Sequence, residues 1–474
     1  MIATARRWVI LAHRYLGIAL CVLLLSWFLS GIAMIYARGM PVLPRVTRLA
    51  RMPLLNPALI HISAQDAAVR AGAPRPEEVT MLTIMGRPAF QFGPSVPVTI
   101  FADKGERLEH LTLDEALAIG SQFTQVPLTA LSHAGVLTRP DQWTLGQRRA
   151  MPLHKLVASD DLGTVIYVSQ PLGEVVMTTT RSARRLAWIS AIPHWLYFAA
   201  LRRHDGLWTS AVLWLSGVGC LAVLLGLFLA ILQYRSRYVG WMRWHYRLGV
   251  VFGAISLTWI FSGFLSMQPG RWAATDGVTP AVAEALSGGP IDLSQFPPLA
   301  DGAWMATGQW VRELEFSRIQ DAAVYVASGP DRSAVIPANQ PHASLEPVSV
   351  DSVLRRITAV SELPAIRDTL LLSAYDAYYY DRDRVLPLPV LRVRFSDSDR
   401  TWVYIDLQRS RIVAAVSRRA RVERWLYHGL HSFDFPFLYD KRPLWDVVVI
   451  ALCAGGALLS ATAVVIGFRR LFRS

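Results

Sequence analysis

Thiols are scarce in this 474-residue chain: Cys21, Cys220 and Cys453 are the only three, each inside a long apolar run and none in a Cys-x-x-Cys pair. That scarcity argues against a disulfide framework, a zinc site or an iron–sulfur cluster. Also missing are His-Glu-x-x-His, Gly-x-Ser-x-Gly, a phosphate-cradling glycine loop and a dinucleotide fingerprint. A flavin or nicotinamide site is thus unsupported, and no catalytic side chain is assigned. The apolar runs carry no acidic residue away from their ends, which weakens a carrier reading.

What is present is apolar. Hydrophobic residues make up 53% of the chain and charged ones 18%, with mean hydropathy +0.31, the balance of a membrane protein with sizeable water-exposed parts. Four runs exceed the roughly 20 residues needed to cross a bilayer. They divide the chain into a first span (1–36), a long segment (37–206), a second span (207–234), a short loop (235–243), a third span (244–267), a second long segment (268–444), and a fourth span with its tail (445–474). Arg6 and Arg7 precede the first run as in a signal peptide, yet its length, His13 and Arg14 and the lack of a small-residue cleavage site predict a retained helix.

Arginines predict orientation. Arg235, Arg237, Arg243 and Arg247 crowd the short loop and Arg469, Arg470 and Arg473 the tail, so both termini are expected in the cytoplasm and both long segments outside, in a periplasm for a Gram-negative host. The net charge of +13 is then anchoring charge, and nucleic acid is not an expected partner.

The chain is written twice. His13-Arg-Tyr-Leu-Gly17, Ser26-Trp27 and Ser30-Gly31 return 232 residues later as His245-Tyr-Arg-Leu-Gly249, Thr258-Trp259 and Ser262-Gly263. Thr164, Tyr167, Trp188, His194, Leu207, Trp208 and Gly219 return at an offset of 237 as Thr401, Tyr404, Trp425, His431, Leu444, Trp445 and Gly456. The repeat unit is a helix, a long loop and a helix. Within the loops, Val98–Phe101 alternates like a strand, Thr112 heads a capped helix, and Val165–Val168 with Glu174–Met177 reads as a hairpin whose mate is Trp402–Ile405 with Ile412–Ala415. The stretches 37–60 and 268–300 read as connectors.

Histidine within a span is costly enough to mark function, and neutral imidazole is a common ligand of b-type haem iron. His13 and His245 lie about one turn inside the cytoplasmic boundary, and Gly17 and Gly249 leave the same face bare one turn further on. A pseudo-twofold axis along the membrane normal would face the two imidazoles across the bundle. His194 and His431 precede spans two and four and belong at the opposite surface, about 25 Å away along a helix. His428 is an alternative to His431, on one face at i and i+3, although its repeat mate is Ala191. His61, His110, His133, His154, His204 and His342 have no histidine mates and read as surface or loop residues. Arg14, Arg202, Arg203 and Arg247 are interface anchors that could meet haem carboxylates. Trp27 and Trp259 lie deep enough to line the gap between layers. The aromatic run from Tyr375 to Arg384 reads as a strand or as part of an acceptor site.

The first-span motif, Trp188 with His194-Trp-Leu-Tyr197, Tyr375-Asp-Ala-Tyr-Tyr-Tyr380, and Trp425-Leu-Tyr-His-Gly-Leu-His-Ser-Phe-Asp-Phe-Pro436 leading to Arg442-Pro-Leu-Trp445 together resemble the PepSY-associated transmembrane family. The resemblance spans all four runs and both loop ends. It implies a membrane all-α four-helix bundle with internal duplication plus two periplasmic α/β PepSY-like modules, in a bacterial inner membrane. It also implies two b-type haems per chain, as in di-haem siderophore reductases. The expected activity is single-electron relay from a quinol or cytoplasmic donor to a ferric siderophore or other periplasmic acceptor, with His13, His245, His194 and His431 on the iron. The alternatives are a non-enzymatic PepSY-type regulator or binding module, or a transporter.

Overall fold

The computed structural model describes residues 2–37, 39–93, 97–234, 237–275, 277–299, 310–340, 343 and 345–472; Arg235, His342 and Arg473 lie outside them. Helix α1 (Ile2–Ala37) leads into α2 (Arg45–Arg51), α3 (Ala64–Arg70), strands β1 (Glu78–Ile84), β2 (Arg87–Gly93) and β3 (Val98–Phe101), and α4 (Leu113–Thr124). Strands β4 (Leu131–Leu137), β5 (Leu153–Ala158), β6 (Val165–Ser169) and β7 (Val175–Thr179) follow, then α5 (Arg181–Ile189), α6 (Ala191–His194), α7 (Ala199–Arg202) and α8 (Asp205–Leu232). The second half runs α9 (Gly240–Ser266), α10 (Thr279–Ser287), β8 (Glu313–Ile319), β9 (Ala322–Ser328), β10 (Ser333–Pro337) and α11 (Val350–Thr358). It closes with β11 (Ile366–Leu372), β12 (Val390–Phe395), β13 (Trp402–Asp406), β14 (Arg411–Val416), α12 (Arg418–Arg424), a π-turn over Trp425–Gly429, α13 (Leu430–Ser432) and α14 (Leu444–Phe472).

Four helices, α1 from Thr4 onward, α8, α9 and α14, are long and apolar enough to cross a membrane. They pack in a ring, α1 against α14 and α8, and α9 against the same two. Glycines set the close approaches: a Cβ on Gly456 would lie 2.4 Å from the Phe28 ring, and one on Gly455 2.2 Å from that of Phe252. Apolar side chains such as Val22, Trp214, Val251 and Leu458 point outward, a surface suited to lipid rather than water.

The remaining chain forms three antiparallel sheets, and their order shows how the halves meet. The six-stranded sheet runs β10-β9-β8-β1-β2-β3. Its two central strands come from different halves, with Val79 opposite Phe316 and Met81 opposite Leu314. Where the sequence divides the long segments into two modules, the structure joins them through this shared sheet. Phe90, Phe316, Tyr325 and Phe296 form its core. β1, β2 and β3 map onto β8, β9 and β10 at an offset of 235 (Glu78 onto Glu313), so the sheet repeats about its own centre.

Each half adds a four-stranded sheet, β4-β5-β6-β7 or β11-β12-β13-β14. The hairpins expected at Val165 and Trp402 are β6–β7 and β13–β14. Thr112 caps α4 as expected: its hydroxyl accepts from the Glu115 amide, and the Glu115 carboxylate accepts from the Thr112 amide at 2.8 Å. Burial departs from the sequence reading in the connectors. α2 and α10 form there because Leu49, Val282 and Leu286 pack beneath the sheets.

The offset grows from 235 (Leu131 onto Ile366) to 237 (Leu153 onto Val390) between the first two strands of these sheets, so the second half has the longer loop. That loop holds Tyr375 to Arg384, which is irregular rather than a strand. Asp376 accepts from the Tyr404 hydroxyl at 3.1 Å and pairs with Arg392 at 2.9 Å. Its first-half counterpart Asp141 accepts from Tyr167 at 2.9 Å and pairs with Lys155 at 3.0 Å. Buried side-chain bonds, not a strand ladder, hold both loops.

Candidate cofactor site

His13 on α1 and His245 on α9 face each other, ring centres 6.3 Å apart. His13 Nδ1 lies 2.9 Å from the Ala222 carbonyl of α8. A carbonyl only accepts, so this nitrogen carries the proton and Nε2 keeps its lone pair. His245 Nδ1 lies 3.0 Å from the Thr462 hydroxyl of α14. That hydroxyl donates to the Leu459 carbonyl at 2.6 Å, leaving its oxygen to accept from His245, which therefore takes the same tautomer. Glycine lets His13 pack close against α8. A Cβ on Gly226 would sit 2.7 Å from His13 Cε1, and one on Gly17 would meet nothing within 4 Å.

His194 and His431 form the second pair, ring centres 6.0 Å apart. His194 ends α6 and His431 lies within α13, each on a short helical segment that follows a four-stranded sheet. α5 breaks at Ser190 (φ −119°, ψ −97°) before α6, and α12 passes through the π-turn into α13. Both chains then turn sharply at matched residues of positive φ, Leu196 (51°) and Phe433 (52°). His194 Nδ1 is 3.2 Å from both the Trp27 carbonyl and the Ser30 hydroxyl; His431 Nδ1 is 3.0 Å from the Ser262 hydroxyl. Ser30 and Ser262 donate to the carbonyls of Trp27 and Trp259, so they accept from the imidazoles. Gly31 and Gly263 each leave 3.6 Å between a would-be Cβ and the Cε1 of the nearer ring.

Around the second pair opens a cavity of ≈1060 Å³. Trp27 and Trp259 line its walls, each with a buried indole N–H that has no partner among the described residues. Arg382 and Arg442 line it as well. Both guanidinium groups lie over the Trp445 ring, at 4.7 and 5.0 Å, with Asp434 beside Arg382 and Asp446 beside Arg442.

His428 stands elsewhere. Its ring lies tilted against Tyr427, centres 4.7 Å apart, and does not line the cavity. The π-turn is the reason: widening the helix to i→i+5 bonding brings i and i+4, rather than i and i+3, onto one face, and Tyr427 lies 5.4 Å from His431. His154 also departs from the sequence reading. It is buried in β5, 3.0 Å from the Leu111 carbonyl and 3.3 Å from His133. His61, His110, His133 and His204 are exposed. None of Arg14, Arg202, Arg203 and Arg247 lines the cavity; Arg202 lies over Trp208 at 4.5 Å and Arg203 donates to the Pro140 carbonyl.

No family model and no curated protein matches the chain. Its chemistry must be read from the two layers themselves. Among the described residues no group of three or more His, Cys, Asp or Glu could hold a metal ion, so neither pair can be completed to a tetrahedral protein site. What each layer offers is two facing imidazoles, ring centres 6.3 and 6.0 Å apart. A metal between them, with bonds of about 2.0 Å and about 1.1 Å more from each nitrogen to its ring centre, would set the centres about 6 Å apart. Four further ligands would have to come with the metal.

Sequence reasoning assigns no role to Ser30, Ser262, Thr462, Gly226 or Arg442, and reaches Arg382 only as part of the Tyr375–Arg384 run. Ser30-Gly31 and Ser262-Gly263 were visible as a repeat, but only contact with the incoming histidines reveals their use.

Proposed function

We propose that the four long helices form a membrane-embedded bundle that carries two b-type haems, one between His13 and His245 and one between His194 and His431, and that the protein moves single electrons across the membrane to an acceptor on the sheet side. The donor set fits. All four histidines have Nδ1 engaged as a donor, which orients the ring and presents a neutral Nε2. Each layer offers two ligands, the number iron needs when a tetrapyrrole supplies the other four. Bare backbone at Gly226, Gly31 and Gly263 lets the imidazoles of His13, His194 and His431 lie close against the neighbouring helices.

Haem iron, when bound, supplies a reversible one-electron couple. The side chains supply the rest. The carbonyls and hydroxyls at Nδ1 keep the ligands basic, Arg382 and Arg442 would meet carboxylates of the outer group, and the tryptophans and Phe28 exclude water from the space between the layers. About 25 Å of helix separates His13 from Ser30, most of a bilayer. Arg237, Arg243, Arg247, Arg469 and Arg470 lie at the end remote from the sheets, which favours cytoplasmic termini, sheets in the periplasm and an inner-membrane location. The acceptor we propose is a ferric chelate such as a ferric siderophore, because ferrous iron is held more weakly by hard oxygen ligands. A quinol or a cytoplasmic protein would be the donor. The joined sheets take the part of PepSY-like modules.

The observation that carries this reading is the mirrored pairing of imidazoles at ring-centre distances of 6.3 and 6.0 Å. Its test is the absorption spectrum of the detergent-purified chain before and after dithionite, with a pyridine haemochrome assay. Two haems per chain are expected, and His13→Ala and His194→Ala should each remove one. A colourless protein from haem-supplied cells would overturn the reading in favour of a regulatory or binding module.

A further inference from the structure

A second cavity, of ≈500 Å³, lies where the six-stranded sheet meets the sheet of the second half, between α10, β8 and the β13–β14 turn. The matching turn of the first half differs at three residues. Leu172-Gly173-Glu174 in the first turn stand where the second has Arg409-Ser410-Arg411, at the offset of 237. The first junction is filled. A Cβ on Gly173 would come within 2.8 Å of Ile84 and 3.0 Å of Leu108, the Leu172 carbonyl accepts from Gln91, and Glu174 receives Arg48 at 2.9 Å.

In the second half the turn carries cations instead. Arg411 has no ion pair among the described residues, and Arg409 makes one hydrogen bond, to Ser333 at 3.0 Å. Arg318 reaches the Pro290 carbonyl at 2.9 Å and pairs with Asp321 at 3.7 Å, with its Nε buried and unbonded. Burial first, then repulsion from Arg411 and Arg45, pulls the Arg409 pKa below its ordinary value, against the attraction of Glu315 and Asp406. Glu315 and Glu284 are the only acids on the cavity wall, against three arginines. Half-buried Arg409 has no carboxylate within ion-pair distance among the described residues, and its planar fork suits carboxylate or phosphate oxygens.

We propose that this junction is a binding site for a small carboxylate- or phosphate-bearing molecule, gripped by Arg409 and Arg411 with the Ser287 and Ser317 hydroxyls as further partners. The volume falls in the roughly 300–1,000 Å³ range of small-molecule sites. The site stands apart from the histidine layers and does not depend on what they hold.

Titration calorimetry on the full chain in detergent, with citrate and separately with inorganic phosphate, tests it. Saturable binding of at least one is expected, and which of them binds identifies the polycarboxylate or the phosphate as the fitting class. Arg411→Glu, which restores the first half's charge, and Arg409→Ala should each weaken binding about ten- to a hundredfold, the scale of one charge-assisted hydrogen bond. Arg442→Ala in the other cavity should leave it unchanged. Failure of both anions to bind the parent protein, or equal binding by the parent, Arg409→Ala and Arg411→Glu, would overturn the proposal. Thermal melts of each variant separate lost binding from lost fold.

Discussion

The two histidine layers use one chemistry and are built in different ways. In the layer near the termini both histidines sit on long helices, and their Nδ1 partners, Ala222 and Thr462, sit on the other two long helices. In the layer near the sheets both histidines arrive on short helices that follow the four-stranded sheets, and their partners are Ser30 and Ser262 on α1 and α9. The first layer therefore needs only helix packing. The second needs both sheets folded and docked, which makes it the more vulnerable of the two, and its cavity is lined by Arg382 and Asp383 from the sheet side.

Removing a ligand from each layer at once tests the comparison most severely. The double variant His13→Ala/His194→Ala should bind no haem, whereas each single variant should keep one, read by pyridine haemochrome. Blocking space without touching a ligand comes next. Gly226→Leu should empty only the layer of His13, and Gly263→Leu only that of His431, since leucine would occupy the space beside each ring; loss of both haems in either variant would mean that the layers are not independent.

The dependence of the outer layer on the sheets can be probed at a distance. Arg48→Ala leaves Glu174 and Glu313 facing each other without their shared cation and should cost about 3 kcal/mol. It should loosen the outer haem before the inner one in a thermal melt followed at the haem band. His428→Ala should leave haem content unchanged, because its ring lies outside the cavity. The smallest expected effect is tuning. Ser262→Ala removes one acceptor at His431 Nδ1, lowers ligand basicity, and should raise the outer midpoint potential by about 40 mV, equivalent to about 1 kcal/mol for one electron. The inner potential should not move.

Much of this was legible in the chain because it is duplicated. Matching offsets located the four long helices, the hairpins of β6–β7 and β13–β14, and the histidines His13, His245, His194 and His431. Apolar runs and strand alternation are local signals that survive whatever they pack against. His428 was harder to weigh, since the choice between it and His431 turns on helix pitch over five residues, and a π-turn leaves no periodic trace in so short a segment.

What only tertiary structure decided is what lies between segments distant in sequence. Pairing of β1 with β8 joins the halves into one sheet, the loop after β11 carries Arg382 to the cavity, and Arg409-Ser410-Arg411 line a junction cavity where the first half sets Gly173 against Ile84 and Leu108. By itself the sequence determined which elements form and which residues repeat, because helix and strand follow from local period and composition. Which faces meet, which serine receives which histidine and where space remains were decided by packing, because those depend on the position of every other element at once.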